Sequence, residues 1–240
     1  MKKRILLIIP AYNEEKNILN TYNKILKYNK TSNLKLDAIV INDGSIDTTG
    51  KICSENNIPH IDLIHNLGIG GAVQTGYKYA LNNDYDIAIQ FDGDGQHDVN
   101  YVEKLIEPIL EGKSQFSIGS RFIHDEGDFK SSKIRRIGIC IISKLIWICT
   151  KHVITDPTSG FRAADKEIIN YFAMDYPTEY PEPSSIVDLI KRDKKIVEVP
   201  VNMIKRKAGK SSINSWKQAY YMFNVLLSII ISSMKKGGMK

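Results

Sequence analysis

Tyr85-Asp86-Ile87-Ala88-Ile89-Gln90-Phe91-Asp92-Gly93-Asp94-Gly95-Gln96-His97 joins a short apolar run to two carboxylates set between glycines. The run reads as a buried strand. The acid pair therefore stands where a strand ends, and the glycines let the backbone turn tightly there. Carboxylates two residues apart project the same way from extended backbone. They are hard oxygen donors, suited to a divalent ion that keeps positions for water and phosphate oxygens. Alone, the stretch reads equally well as an Asp-Gly surface turn.

Outward from it, strands and helices alternate. Ile5–Ile9 reads as a strand, and Glu14–Tyr28 as a helix with Ile18, Leu19, Tyr22, Ile25 and Leu26 on one face. Leu36–Ile41 (strand), Thr48–Asn56 (helix), Ile61–Ile64 (short strand) and Gly71–Asn82 (helix) follow before the strand Asp86–Phe91. The alternation predicts an α/β fold on a mainly parallel, Rossmann-like sheet with helices on both faces. Ligands bind such sheets beyond the carboxyl ends of the strands. Pro10–Glu14, Asn42–Asp47, Asn66–Gly71 and Asp92–His97 all fall there.

The 240 residues suffice for one large domain, and 42% hydrophobic with 25% charged residues is ordinary for a soluble protein. Basic Met1-Lys2-Lys3-Arg4 before Ile5–Ile9 mimics a signal peptide, but Pro10 and Asn13-Glu14-Glu15 end the apolar run too early. Cys53, Cys140 and Cys149 lack metal-ligand spacing. The latter two lie in an apolar run and are expected as buried thiols in a reducing compartment. The net charge of +6 admits nucleic acid, anionic lipid or a phosphorylated substrate. No aromatics interleave with the basic cluster Lys205–Lys210, which disfavours nucleic acid. From Ile213 onward, Tyr220–Ile231 is aromatic, then aliphatic, and lysines follow. Its most apolar part spans roughly 20 Å as a helix, short of the roughly 30 Å of a bilayer core. An interfacial helix within 213–240, with Gly138–Cys149 beside it, and a pair of core helices are the two readings.

Two more loops suggest chemistry. Asn42-Asp43-Gly44-Ser45-Ile46-Asp47 follows a strand and precedes a helix, so Ser45 or Asp47 caps that helix, or Asp43 accepts an N–H from a nucleobase edge. Asn66-Leu67-Gly68-Ile69-Gly70-Gly71-Ala72 either cradles phosphates at a helix N-terminus or permits close packing. It is not a Walker loop, since no Gly-Lys-Ser/Thr follows. A dinucleotide loop would want an acid about 20 residues on, near Asp92, but would follow the first strand.

Taken in order, several motifs resemble glycosyltransferase family 2, and within it the dolichol-phosphate-mannose-synthase-like branch. They are Pro10-Ala11-Tyr12-Asn13-Glu14, Asn42–Asp47, Asn66-Leu67-Gly68-x-Gly70, Asp92–His97, Gly119-Ser120-Arg121 and Asp156-Pro157-Thr158-Ser159-Gly160-Phe161-Arg162. The resemblance runs from about Arg4 to Ser212 and implies a GT-A catalytic domain over 1–212, leaving 213–240 as a membrane-associating segment. It implies a nucleotide-sugar donor (UDP-, GDP- or dTDP-linked) and transfer with inversion. Pro10, Tyr12 and Glu14 would hold the nucleoside and Asp43 its base. Asp92 would approach the ribose and metal, and Asp94 with Gln96 would hold Mg²⁺ or Mn²⁺ against the diphosphate, whose growing charge the ion neutralises. Arg121 and Arg162 are implied clamps for diphosphate or acceptor. Arg206 and Lys210 match the family's late basic loop, with a solvated cationic face as the alternative.

The acceptor side is read from departures. An alcohol acceptor needs a general base, whereas a polyprenyl phosphate is already ionised. Where relatives carry Tyr-Pro-Glu-Pro-Glu, this chain has Tyr180-Pro181-Glu182-Pro183-Ser184, leaving Glu182 and Asp156 as candidate bases. Asn42 stands where an Asp is common, and the chain ends soon after Ser233 without paired transmembrane helices. The sequence thus predicts a cytoplasmic glycosyltransferase, peripheral to the inner face of the cell membrane, acting on a polyprenyl phosphate or lipid-linked glycan in cell-surface polysaccharide synthesis. A homo-oligomer is compatible with it. The rival is a non-catalytic nucleotide-sugar-binding subunit with the same fold.

Overall fold

The computed structural model describes residues 3–123, 133–203 and 215–234. The first half follows the expected alternation: β1 (Ile5–Ala11), α1 (Ile18–Thr31), β2 (Asp37–Asn42), α2 (Thr49–Glu55), β3 (His60–Asp62), α3 (Gly68–Asn82) and β4 (Ile87–Gln90). The second half holds α4 (Val102–Leu110), β5 (Phe116–Ser120), α5 (Lys133–Thr150), β6 (Arg162–Asp165), α6 (Lys166–Met174), α7 (Pro181–Lys191), β7 (Ile196–Pro200) and α8 (Ser215–Met234).

One seven-stranded sheet runs β3-β2-β1-β4-β6-β5-β7. All pairs are parallel except those of β6, which is antiparallel to β4 and β5. β1 is buried along its whole length. Its Leu6 and Ile8 enter one core with α3, α6 and α7, while Ile5, Leu7 and Ile9 enter the other with α1 and α4. A strand covered on both faces has no polar side, hence the unbroken apolar run. Pro10 is tolerated at its end because the last β4 pair is Ile8↔Gln90. The Ile8 carbonyl accepts the Phe91 N–H, so the donor that Pro10 lacks would point past that pairing.

Two boundaries differ from expectation for a physical reason. α1 starts at Ile18, not Glu14, because the preceding backbone is engaged with the 45–49 segment. Asn13 N–H donates to Ser45 Oγ (3.0 Å), Glu14 N–H to Thr49 Oγ1 (2.9 Å) and Glu15 N–H to Asp47 Oδ2 (3.2 Å). α3 starts at Gly68, so its glycines lie within the helix. A Cβ on Gly70 would run into the carbonyls of Pro177 and Thr178, and one on Gly76 into Ile8. Close packing is thus one demonstrated use of that loop's glycines.

α5 and α8 pack on each other and on α7. Ile142, Ile146, Val225 and Ile229 are in the core, while Ile137, Ile141, Trp147 and Ile148 of α5 and Phe223, Leu227, Ile230 and Ile231 of α8 are exposed. Each helix is therefore both a core helix and the owner of an exposed apolar stripe. Among the described residues no helix is long and apolar enough to cross a membrane. Cys140 corrects the expectation of a buried thiol: it lies exposed on α5, Cys149 is half-buried, and Cys53 is the buried one, its thiol pushed up to about 11 by burial.

Candidate active site

The strand order reverses between β1 and β4, which places a crevice beyond their carboxyl ends. Because β6 is antiparallel, with Gln90 opposite Arg162, its amino end arrives at the same crevice and delivers the 156–161 turn. β5 ends there at Ser120, next to Arg121.

The Asp92–His97 loop is braced from three sides. Thr21 Oγ1 of α1 donates to the Gly93 carbonyl at 3.1 Å and Lys24 Nζ to the Gly95 carbonyl at 3.4 Å. His97 is buried, stacked on Phe161 (4.8 Å between centroids) and edge-on to Phe91 (5.4 Å). The Asp92 N–H donates to His97 Nδ1 at 3.0 Å, which places the ring proton on Nε2, 3.3 Å from Asp92 Oδ2. Burial pushes the imidazole down to about 4, so it is neutral at ordinary pH. Asp94 Oδ1 accepts the Gln96 N–H at 3.0 Å. Two carboxylates and an amide oxygen make a donor set suited to a hard divalent ion that shares its shell with phosphate oxygens. Among the described residues no three His, Cys, Asp or Glu side chains converge as an all-protein cage.

The nucleoside-side candidates gather at the ends of β1 and β2. Pro10 is buried, Tyr12 exposes half its ring, and Glu14 accepts from Asn17 Nδ2 at 2.7 Å. Asp43 is buried, accepts the Leu67 N–H at 2.7 Å, and burial raises its carboxyl above the usual range despite that bond. Gly44 holds φ 64°, and a Cβ there would lie 2.7 Å from the backbone nitrogen of Asn66. The 42–47 and 66–71 loops therefore meet through Asp43 and Gly44. Asp47 also caps α2, its Oδ1 accepting the Thr49 N–H at 2.9 Å.

The acceptor-side candidates divide. Asp156 is buried and forms a two-pronged ion pair with Arg121, Oδ2 to Nε at 2.6 Å and Oδ1 to Nη2 at 2.7 Å. Arg162 is fully buried and gives its guanidinium to the carbonyls of Ser159, Pro157 and Glu182 and to Ser185 Oγ. In this conformation both arginines brace the 156–161 turn. Glu182, at the start of α7, has its carboxyl raised by burial, with Arg162 opposing that shift and nearby Asp92 adding to it. Gly160 leaves room for Asp92: a Cβ there would sit 3.0 Å from Oδ1. Asp92 and Glu182 thus face one crevice from different elements. Arg206 and Lys210 lie outside the described residues.

Sequence reasoning missed several supporting side chains. Glu198 of β7 accepts the N–H groups of Thr155 (2.7 Å) and Asp156 (2.8 Å). An acid amid the apolar Ile196-Val197-Glu198-Val199 was the signal for it. Thr21 and Lys24 carried no signal of their own.

Comparison with known proteins gives the family and the fold. The model of glycosyl transferase family 2 matches residues 6–172. The UDP-N-acetylglucosamine–dolichyl-phosphate N-acetylglucosaminyltransferase of Methanococcus voltae is 34% identical over 84% of this chain and 86% of its own. The polyprenol monophosphomannose synthase of Mycolicibacterium smegmatis is 26% identical over 93% and 86%. Among solved structures, the glucosyl-3-phosphoglycerate synthase of Mycobacterium tuberculosis, in complex with Mn²⁺, UDP and phosphoglyceric acid, superposes with a TM-score of 0.73 at 17% identity, over 97% of this chain and 79% of that one. The chain belongs to glycosyl transferase family 2, in its dolichol-phosphate-mannose-synthase-like branch, and is a GT-A-fold glycosyltransferase.

Proposed function

We propose that the protein moves a sugar, with inversion, from a nucleotide sugar to a polyprenyl phosphate at a membrane surface. The Asp92–Gln96 loop at the end of β4, with Glu182 of α7 near Asp92, carries this reading. Asp92, Asp94 and Gln96 would hold Mg²⁺ or Mn²⁺, which would neutralise charge on the departing diphosphate. Tyr12, Glu14 and Asp43 would hold the nucleoside, with Pro10 shaping the end of β1. Arg121 and Arg162 are assigned here as positioning residues, and Arg206 and Lys210 as the cations that meet the phosphates. Two features favour an acceptor that needs no base. Asp156 is occupied by Arg121, and the Ser184 hydroxyl is turned toward α8.

The exposed stripes of α5 and α8 support seating on lipid. Neither helix carries a single Asp or Glu, whereas the chain as a whole has 27. That bias matches an anionic surface. Replacing exposed Phe223 with Glu should lower binding to anionic vesicles and leave the melting temperature unchanged; equal binding would remove α8 from the membrane face.

The deciding experiment is a panel of nucleotide sugars with Mn²⁺ or Mg²⁺ and membranes containing polyprenyl phosphate, followed for lipid-extractable sugar. Transfer from one donor, abolished by EDTA, is expected. Tight binding of one nucleotide without transfer would instead indicate a non-catalytic binding subunit.

A further inference from the structure

We propose that Asn224 and Ser228 on α8 are positioning residues for the acceptor side of the site, acting through the first turn of α7; this rests on the lipid-phosphate reading above. Tyr180, just before α7, takes φ 49°. That left-handed conformation is strained for a bulky residue and persists only where the surroundings over-determine it. Pro181 follows at once as the first helical residue. From the site side, Arg162 Nη1 holds the turn through the Glu182 carbonyl at 2.7 Å and Ser185 Oγ at 2.9 Å.

From the other side two bonds arrive from α8. Asn224 Nδ2 donates to the Tyr180 hydroxyl at 3.3 Å. Ser184 Oγ donates to Ser228 Oγ at 3.0 Å, and Ser228 in turn donates to the Val225 carbonyl at 2.8 Å. The ties bracket Glu182, two residues to either side. Ser184 is 2% exposed, so a glutamate at this position would have to displace α8 or bury a second charge. The serine is thus the tie itself rather than a lost base. Asn224 and Ser228 each follow an exposed apolar residue, Phe223 and Leu227, on the same helical turns. Whatever seats that stripe also seats the two ties, and through them the turn that carries Glu182.

The test uses the full chain, a water-soluble short-chain polyprenyl phosphate as acceptor, and phosphatidylglycerol–phosphatidylethanolamine vesicles that carry no acceptor. Vesicles are expected to raise kcat of the wild type. Asn224→Leu with Ser228→Ala should bind the vesicles and keep the donor KM, but lose that rise and have kcat about tenfold lower. Ser228→Thr, which keeps the hydroxyl, should retain it. Wild type that transfers without responding to vesicles overturns the proposal, as does a double variant stimulated like wild type. A double variant that loses donor KM, vesicle binding and melting temperature together also overturns it, in favour of a purely structural role. Wild type that transfers to no lipid phosphate at all refutes the underlying functional reading instead.

Discussion

β1, β2 and β4 reach the crevice by running toward it, each strand handing over directly to its own motif. β6 and α7 reach the same crevice from the other direction, by their amino ends, and their motifs precede the elements that fix them. In the first region, local order in sequence is local order in space. In the second, the 156–162 turn is held by Arg121, Glu198 and the start of α7, partners from distant parts of the chain. Each motif of the first region can be read from its own strand-ending loop; the second is assembled only when distant elements meet.

If that contrast is right, the second region should be the more brittle. Arg162→Met removes donors from three carbonyls at once, two of them in fully buried bonds. Urea unfolding should register a loss on the order of 3–5 kcal/mol. A loss below one would mean that the turn does not depend on its buried guanidinium.

His97 links the two regions, stacked on Phe161 from the second while holding Asp92 of the first. Its folded pKa of about 4 lies below the ordinary 6.5, through burial. Between those values the unfolded chain binds a proton that the fold excludes, so stability falls as pH drops from 6.5 to 4. The loss should be on the order of 3 kcal/mol. His97→Phe should flatten that part of the profile in melting scans across pH; an unchanged slope would place the titration elsewhere.

Gly44→Ala probes the first region alone. With φ 64° and backbone at 2.7 Å from the added carbon, it should cost roughly 1–3 kcal/mol and weaken nucleotide binding by loosening the 42–47 loop from the 66–71 loop. Strong nucleotide binding with lowered stability would separate the packing from the binding.

Legibility follows the same division. β1 and β4 were visible as apolar runs because burial on both faces leaves no alternation to misread, whereas edge strand β3 spans His60–Asp62 instead of the expected Ile61–Ile64 and leaves Ile64 exposed. The start of α1 was not visible, since the amides of Asn13, Glu14 and Glu15 just before it are taken by Ser45, Thr49 and Asp47, some thirty residues away. Asp92 and Asp94 were legible as oxygen donors at a strand end, whereas Gln96 entered only through the family resemblance. Arg162 was legible as a guanidinium near the site but not as a buried brace, because its partners are carbonyls that any sequence could supply. α5 and α8 left two readings open, and each helix has a core face and an exposed one.

The most direct test of the central claim is Mn²⁺-dependent binding of the nucleotide-sugar donor, by calorimetry, to the wild type and to Asp94→Asn. The fold should be unchanged, since Asp94 is half-buried in a loop. Metal-dependent affinity should disappear in the variant while melting temperature is kept. Equal Mn²⁺-dependent affinity in both proteins would contradict the placement of the metal and the diphosphate at the Asp92–His97 loop.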